Sequence, residues 1–211
     1  AVFGSVYGWE RPNWFMPSDD YALSVEDLNQ SDPSQVLLNK NHSSPLEDGR
    51  IVEKNSFRRS NYFEHVGNEC KHVNKKVGLL DMSAFAKCVV RGPGAEAWLE
   101  SIFANKMPIN IGRISLIHML SLNGGVRAEF TAYKTGPQSY YLVSAGAFEA
   151  HDHDYLFKLL PTDGSVSIQR VTTQTGVLVL AGPRSRDVLQ KLTDTDLSND
   201  SFKWLTGKKI N

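Results

Sequence analysis

Apolar residues recur every three or four positions in four segments of the chain, which is the spacing of an amphipathic helix. The first helix is predicted to begin near Asn61 and to end at Gly78, because glycine commonly follows the last helical turn. A second is predicted after Gly92-Pro93-Gly94, where proline suits the first helical position. The apolar positions of the four predicted helices are Phe63, Val66, Cys70, Val73 and Val77; Ala95, Trp98, Leu99, Ile102 and Phe103; Phe148, Tyr155, Leu156, Leu159 and Leu160; and Val188, Leu189 and Leu192.

Between these helices lie segments rich in the β-branched and aromatic residues that are typical of strands. Asn123-Gly124-Gly125 separates two of them, and Asn-Gly is a strong hairpin signal because both turn positions need a positive φ angle. The same reasoning makes Gly124-Gly125 a turn rather than a phosphate-binding loop. The predicted strands are residues 85–91, 113–122, 126–133, 140–144, 165–171 and 176–180.

A strand, a Gly-Pro turn and an amphipathic helix follow one another twice, in residues 89–99 and again in residues 179–189. The repeat indicates a duplicated unit within one sheet layer. Together with the hairpin, it predicts an α+β fold in which helices cover a mostly antiparallel sheet.

The first 60 residues show neither helical nor strand periodicity, and we predict an arm and loop there, followed by a domain over residues 61–211. This segment is rich in tryptophan and proline up to Pro17, and it is polar from Ser24 to Asn55. Because exposed tryptophan is energetically costly, we favour an ordered arm packed on its own domain over a partly disordered tail.

Composition narrows the class of protein. Lysine plus arginine total 23 and aspartate plus glutamate total 23, so the basic surplus of a nucleic-acid binder is absent. Two cysteines exclude a disulfide-rich scaffold and a four-cysteine zinc site. The apolar runs are far shorter than the ~18 residues that cross a bilayer, and no signal peptide begins the chain. We therefore expect a soluble, cytoplasmic protein without a nucleic-acid or membrane partner.

The segment His151-Asp152-His153-Asp154 invites comparison with a metal site. On a helix, however, residues two apart point about 200° away from each other, so the two histidines do not share a face. We favour a solvated first helical turn, in which the acidic residues interact with the helix dipole, over a metal site.

Two further pairs of residues have a structural and a functional interpretation. Cys70 lies on the apolar face of the first helix and Cys88 in an apolar strand, so we predict core thiols rather than nucleophiles. Arg184 and Arg186 begin a helix, where they are either an anion site or a solvated surface pair. The surface pair is the interpretation we favour.

Glu129 is the carboxylate with the clearest functional interpretation. It lies in the alternating strand of residues 126–133 and shares one face with Arg127, Thr131 and Tyr133. A polar strand face of this kind meets either solvent or a ligand, and periodicity alone favours solvent.

Four motifs in order resemble the glycine cleavage T-protein (aminomethyltransferase) family. They are Gly78-Leu79-Leu80-Asp81-Met82-Ser83-Ala84-Phe85, the strand–Gly-Pro–helix unit, the hairpin from His118 to Tyr133, and Gly182-Pro183-Arg184-Ser185-Arg186. The opening residues 7–15 are similar to the point where dimethylglycine and sarcosine dehydrogenases pass from their flavin half into their tetrahydrofolate half. The resemblance covers nearly the whole chain.

The resemblance implies a tetrahydrofolate-binding fold that moves a one-carbon unit from an aminomethyl carrier or an imine onto folate, in one-carbon metabolism and glycine catabolism. Glu129 matches a family position usually held by aspartate, and the dehydrogenase branch has glutamate there. Its implied role is to orient the reacting nitrogens and to stabilise positive charge. Tyr133 matches a tyrosine beside the folate, and Phe85, Leu116 and Val143 match positions that line the pterin pocket.

In the family, a Gly-x-x-Gly-Glu-x-Gly-x-Glu segment whose glutamate grips the pterin follows the equivalent of residues 204–211. The flavin half carries a dinucleotide fingerprint that is absent here, so tetrahydrofolate and an amine-derived one-carbon donor are the expected small-molecule partners, without FAD. We therefore expect the chain to be the first half of a folate domain. The alternative is a non-catalytic module that associates with a second copy or with a partner chain, because exposed edges tend to be covered.

Overall fold

The computed structural model describes residues 2–6, 9–14, 43–45, 51–53, 59 and 62–210, and the chain divides into two compact units, 1–74 and 75–211. The first unit contains a four-stranded sheet in the order β2-β1-β4-β3, followed by helix α1. Its elements are β1 (Val2–Val6), β2 (Trp9–Trp14), β3 (Ser43–Pro45), β4 (Ile51–Glu53) and α1 (Phe63–Lys75).

Two antiparallel strands, β1 and β2, lie where the sequence showed no strand periodicity. Backbone pairing does not require alternating side chains, and β2 is an edge strand, where a residue without an N–H such as Pro12 is tolerated. Most of the polar loop predicted from Ser24 to Asn55 lies outside the described residues, as do Phe15 and Met16. The packing of the arm and its boundary at residue 60 stay predictions.

Helix α1 confirms the helical spacing but corrects its consequences. The helix ends at Lys75, and Gly78 begins a strand instead of ending the helix. None of its residues is buried, and the Cys70 thiol is exposed, so the prediction of a core thiol at Cys70 is wrong. Spacing defines which residues share a face, whereas burial needs a partner surface.

The second unit contains a five-stranded antiparallel sheet in the order β10-β6-β9-β8-β7 and a two-stranded antiparallel sheet of β11 and β5. The predicted α+β class with a mostly antiparallel sheet is confirmed. The strands are β5 (Gly78–Asp81), β6 (Ala86–Arg91), β7 (Ile114–Leu120), β8 (Val126–Gly136), β9 (Ser139–Ser144), β10 (Ser167–Arg170) and β11 (Leu178–Ala181). The helices are α2 (Ala95–Ile102), α3 (Glu149–Lys158) and α4 (Ser185–Leu189), with 3₁₀ turns at Gly146–Phe148 and Gln190–Leu192.

The duplicated unit is present in both predicted places, as β6 followed by α2 and β11 followed by α4. Gly92 and Gly182 begin the two turns with φ angles of 129° and 117°. Residues that carry a side chain rarely adopt this backbone conformation, so glycine is favoured at both positions. The expectation that both copies share one sheet layer is wrong, because β6 lies in the five-stranded sheet and β11 pairs with β5. A local motif does not specify which strand its own strand will pair with.

The predicted hairpin joins β7 to β8. Gly124 has a φ angle of 79°, and the Ser121 N–H donates to the Gly125 carbonyl at 2.8 Å.

One face of the five-stranded sheet packs against α2 and α3, and the indole of Trp98 donates to the Leu159 carbonyl at 2.7 Å, which ties the two helices together. The fully buried core side chains include Val90, Leu99, Ile117, Met119, Leu142 and Leu156. In the part of the chain that the structure describes, no helix is long and apolar enough to span a bilayer.

Candidate functional site

The register of the five-stranded sheet assembles residues from three strands on the face opposite the helical core. Side chains that lie directly opposite one another in antiparallel strands point to the same side of the sheet. Leu116, Thr131 and Val143 form one such row, and His118 and Glu129 form the next. Tyr133 lies in the row on the other side of Thr131 from Glu129. Four of the five residues predicted to form the site therefore share this face: Leu116, Glu129, Tyr133 and Val143.

Strand β8 alternates as its sequence predicts. Phe130, Ala132 and Lys134 are buried on the core side, while Glu129 and Thr131 are exposed on the other. A β-bulge interrupts the pairing near the turn: Leu120 lies opposite Val126, but Met119 lies opposite Ala128. Arg127 is the extra residue of this bulge, and bulges of this kind commonly redirect side chains next to functional sites.

An open cavity of about 770 Å³ lies along this part of β8. The volume falls within the range of about 300–1,000 Å³ that is common for small-molecule sites. Glu129, Phe85 and Val143 line the cavity, which brings together three of the five predicted residues. The other lining residues are Arg127, Ala128, Phe130, Thr131, Ser144, Ala145, Phe148, His151, Asp152 and Val177.

Tyr133 and Leu116 are not among the residues that line the cavity. The Tyr133 ring packs against the backbone of Gly207, where an added Cβ would lie only 2.6 Å from the ring atom Cε2. Gly207 is itself held by a hydrogen bond from its N–H to the Gly112 carbonyl at 2.7 Å. The assignment of both residues as folate contacts stays a prediction of the resemblance.

The Glu129 carboxylate is hydrogen-bonded to a histidine that sequence reasoning did not single out as a site residue. Glu129 Oε2 lies 3.2 Å from His118 Nε2, and His118 Nδ1 lies 3.0 Å from Asn105 Oδ1. His118 and Glu129 are direct cross-strand neighbours. Asn105 reaches them from the loop that follows α2.

A second histidine connects Arg127 to a buried carboxylate in the same cavity. His151 Nε2 lies 3.1 Å from Arg127 Nη2, and His151 Nδ1 lies 3.0 Å from Asp152 Oδ1. Because a guanidinium only donates, His151 Nε2 accepts and Nδ1 carries the proton that is donated to Asp152. The Arg127 guanidinium also lies 4.0 Å from the centre of the Tyr155 ring.

The histidines of the possible metal motif point to different neighbours. His151 bonds Arg127 and Asp152, whereas the His153 ring lies 5.1 Å from that of Phe157. Burial lowers the pKa of His153, and the positive charge of Arg170 lowers it further. Within residues 62–210 no three histidine, cysteine, aspartate or glutamate side chains cluster as metal ligands would. The prediction of a solvated first turn is wrong at Asp152, which is 4% exposed.

Two further sequence-based assignments, for Cys88 and for the arginine pair, agree with the structure. Cys88 is buried in the core, as predicted, and burial raises the pKa of its thiol to about 12, with further contributions from the negative charges of Glu149 and Asp152. Arg184 and Arg186 are both exposed, as the surface interpretation predicts; Arg184 lies 3.6 Å from Asp187, and Arg186 donates to Asn199 Oδ1 at 2.9 Å.

Sequence reasoning missed Asn105, His118, Phe148, His151 and Asp152 as parts of this site. A signal existed for His118, because the Asn-Gly turn fixes the hairpin to within a residue or two. Counting back from the turn without the bulge, however, places Ile117 opposite Glu129 instead of His118. The other four residues come from loops or helices whose distance from β8 is a property of the tertiary fold.

A helix-covered antiparallel sheet, with a carboxylate and a guanidinium that both line one open cavity along β8, defines the class of this α+β domain. The sequence matches the GCVT N-terminal domain family over residues 1–211, and the chain belongs to that family. The resemblance predicted from the motifs is therefore confirmed.

Curated relatives place the domain more narrowly. The chain is 36% identical over 205 residues to mitochondrial dimethylglycine dehydrogenase of Mus musculus, which covers 97% of this chain and 20% of that protein. It is 33% identical over 141 residues to an aminomethyltransferase of Listeria monocytogenes serotype 4a (strain HCC23), which covers 66% of this chain and 38% of that one. The chain thus spans about one fifth of the length of the mouse relative.

A solved structure supports the fold. The glycine cleavage system aminomethyltransferase T from Bartonella henselae superposes with a TM-score of 0.60 at 19% identity, over 83% of this chain and 46% of that one. At this identity the similarity concerns the fold. The chain is accordingly an aminomethyltransferase-like domain related to dimethylglycine dehydrogenase.

Proposed function

We propose that this domain binds tetrahydrofolate and supports the transfer of a one-carbon unit from an aminomethyl or N-methyl amine donor, with Glu129 as the catalytic carboxylate. The observation that carries the proposal is the position of Glu129 on the wall of the 770 Å³ cavity. The relationship to aminomethyltransferases and dimethylglycine dehydrogenase supports the class of reaction.

The residues that line the cavity fit a flat heteroaromatic ligand with polar edges. Phe85, Phe148, Val143 and Val177 supply apolar and aromatic surface on which such a ring can lie. Glu129 supplies the acceptor that a protonated nitrogen needs. In this arrangement Phe85 and Val143 hold the ring, and Glu129 faces the reacting nitrogens.

Tetrahydrofolate, when bound, supplies the nitrogen that takes up the one-carbon unit. The contribution of the protein is electrostatic, because the donor carries positive charge on nitrogen while its carbon–nitrogen bond is made or broken. A carboxylate held against that nitrogen stabilises the charge and accepts or returns its proton. The positive charge of Arg127, on the same wall, suits an anionic group elsewhere on the ligands.

The decisive experiment measures tetrahydrofolate binding and methylene-tetrahydrofolate formation in the intact protein. General acid–base groups contribute about 10²–10⁴-fold to rate, so Glu129→Gln is expected to lower kcat by at least ~100-fold. Glu69→Gln, at an exposed position on α1, is the matched control and should retain full activity. Absence of tetrahydrofolate binding to the wild-type protein, or unchanged turnover in Glu129→Gln, contradicts the proposal.

Two further predictions concern the biological setting. A role in glycine catabolism follows from the donor class and is proposed on the same grounds. The cytoplasmic location expected from composition also stays a prediction, and some relatives, including the mouse dehydrogenase, are mitochondrial proteins. Localising the intact tagged protein by microscopy decides between the two compartments.

Association with a second copy or a partner chain is a second candidate function. It is favoured by the two-stranded sheet, where Leu79 on β5 is 65% exposed and Leu178 on β11 is 66% exposed. Apolar side chains grouped on one small sheet commonly mark an interface. Sedimentation of the intact protein tests this candidate, because a monodisperse monomer contradicts it and a dimer that Leu79→Ser and Leu178→Ser dissociate supports it.

A further inference from the structure

We propose that His118, oriented by Asn105, is a positioning residue that holds the Glu129 carboxylate in place through a proton shared between His118 Nε2 and Glu129 Oε2. The inference rests on the proposed function only in that Glu129 is the carboxylate that acts on substrate. The geometry of the three side chains stands independently of the ligand.

The loop that carries Asn105 is fixed to strand β7 by the backbone. Phe103 forms an antiparallel bridge with Met119, and the Ala104 N–H donates to the His118 carbonyl at 2.9 Å. Asn105 therefore follows directly on a segment that pairs with the strand bearing His118. This pairing places its side chain beside the histidine.

Asn105 Oδ1 accepts two hydrogen bonds from the same residue. The His118 backbone N–H donates to it at 2.9 Å, which identifies this atom as the oxygen of the amide, because an N–H needs an acceptor. His118 Nδ1 lies 3.0 Å from the same oxygen, so Nδ1 must carry a proton and donate it. The asparagine thus fixes both the orientation of the ring and the state of Nδ1.

With Nδ1 protonated, Nε2 of a neutral imidazole would be an acceptor facing an acceptor. Since a carboxylate oxygen accepts, the 3.2 Å hydrogen bond between His118 Nε2 and Glu129 Oε2 has Nε2 as its donor. His151 differs from His118, because its Nε2 lies 3.1 Å from the Arg127 guanidinium, which donates, so this nitrogen accepts. In this geometry His118 Nε2 donates to Glu129, whereas His151 Nε2 accepts from Arg127.

The pair leaves one carboxylate oxygen for a ligand. Among the described residues, Glu129 is hydrogen-bonded by His118 through Oε2, and Oε1 has no protein partner. A glutamate on an exposed strand face has many rotamers, and catalysis loses about 10²-fold when a group is misplaced by ~1 Å. His118 restricts that freedom, and Asn105 prevents the histidine from turning away.

The tautomer of His118 is a spectroscopic test that does not depend on activity. In the intact protein labelled with [15N]histidine, long-range 1H–15N spectra should show His118 with a protonated Nδ1. Asn105→Ala should remove this preference and return His118 to the Nε2-protonated form that free neutral histidine favours, whereas Asn74→Ala, an exposed control on α1, should not. A wild-type His118 with unprotonated Nδ1 overturns the proposal that Asn105 orients His118.

Turnover supplies the second test. His118→Ala should lower kcat by about 10-fold to 100-fold with little change in KM, and His118→Gln, which keeps an N–H donor, should recover part of the loss. In a Glu129→Gln background His118→Ala should cause no further loss, because both act through one carboxylate. Equal losses in the two backgrounds overturn the positioning role, and His72→Ala is the control for histidine removal at an exposed position.

The two proposals fail in different ways. Unchanged turnover in Glu129→Gln contradicts the proposed function. A protonated Nδ1 of His118 would still support the proposal that Asn105 orients His118. If Glu129→Gln loses turnover but His118→Ala keeps wild-type turnover, the proposed function stands and the positioning role of His118 is overturned.

Discussion

Lys134 Nζ lies 2.6 Å from Glu96 Oε2, although the two residues are 38 positions apart in the chain. The Tyr140 hydroxyl donates to the same carboxylate oxygen at 2.7 Å. Lys134 is 5% exposed on the core side of β8, and the carboxylate of Glu96 on α2 provides its charge partner. Breaking such a pair leaves a buried charge unpaired, so the trio fastens α2 to the sheet that carries Glu129.

This trio predicts acid sensitivity. Hydrogen bonds from Lys134 and then Tyr140 lower the pKa of Glu96 below its usual value of 4.5. A carboxyl group with a lowered pKa stabilises the fold above its unfolded-state pKa, and the stabilisation is lost as pH falls through its folded-state pKa. Urea unfolding between pH 3 and pH 7 should therefore show a smaller loss of stability on acidification in Glu96→Gln than in the wild type. The same pH dependence in both proteins contradicts the prediction, and Glu69→Gln serves as the control.

The two cysteines should differ in reactivity with thiol reagents. Cys70 is exposed, whereas Cys88 is buried and its pKa is raised to about 12. Because the thiolate is the reactive form, labelling of the native 211-residue chain with Ellman's reagent should modify Cys70 and spare Cys88, which reacts after denaturation. Cys70→Ser should abolish native labelling. Rapid labelling of Cys88 in that variant would show that the strand is more accessible than the structure indicates.

Gly92 should not tolerate a side chain. Its φ angle is 129°, and an added Cβ would overlap the carbonyl oxygen of Ser165. Gly92→Ala is expected to lower the free energy of unfolding by ~3 kcal/mol or more, because backbone strain and a steric clash combine. Gly164→Ala is the matched control: its φ is 74°, but nothing lies within 4 Å of the added Cβ, so strain alone should cost about 1–2 kcal/mol. Equal losses in the two variants would contradict the clash.

Phe85 and Leu116 distinguish the observed cavity from the pocket implied by family resemblance. Phe85 lines the cavity and Leu116 does not, although both lie at positions that the resemblance assigns to the pterin. Loss of one aromatic contact costs about 1 kcal/mol or slightly more, so Phe85→Ala should raise the Kd for tetrahydrofolate by roughly 5-fold to 10-fold. Leu116→Ala should change the Kd by less than about 2-fold. Calorimetric titration of both variants provides the measurement, and equal weakening would favour the pocket implied by the resemblance.

Much of the fold follows from local patterns. The Asn-Gly turn predicted the β7–β8 hairpin, both Gly-Pro turns lead into helices, and β8 alternates so that Glu129 faces away from the core. Each of these features depends on neighbours along the chain, where turn chemistry and side-chain periodicity act directly. The motif order was sufficient to predict the family, which the comparisons confirm.

The errors share a different character. Cys70 was expected in the core and is exposed, Asp152 was expected in solvent and is buried, and the two copies of the repeat lie in different sheets. In each case the type of local structure was predicted correctly. Cys70 and Asp152 lie in helices, and each copy of the repeat forms a strand followed by a helix. What differed was the surface that each element meets, which periodicity does not encode.

The sequence by itself determined the α+β class, the hairpin, the family and the candidate carboxylate Glu129. Only the tertiary structure decided that Asn105 and His118 hold that carboxylate, because a one-residue bulge at Arg127 shifts the register and brings His118 opposite Glu129. A shift of one residue reverses which side chains meet across a strand pair. The site therefore depends on a register that a local pattern leaves open and that packing of the whole sheet fixes.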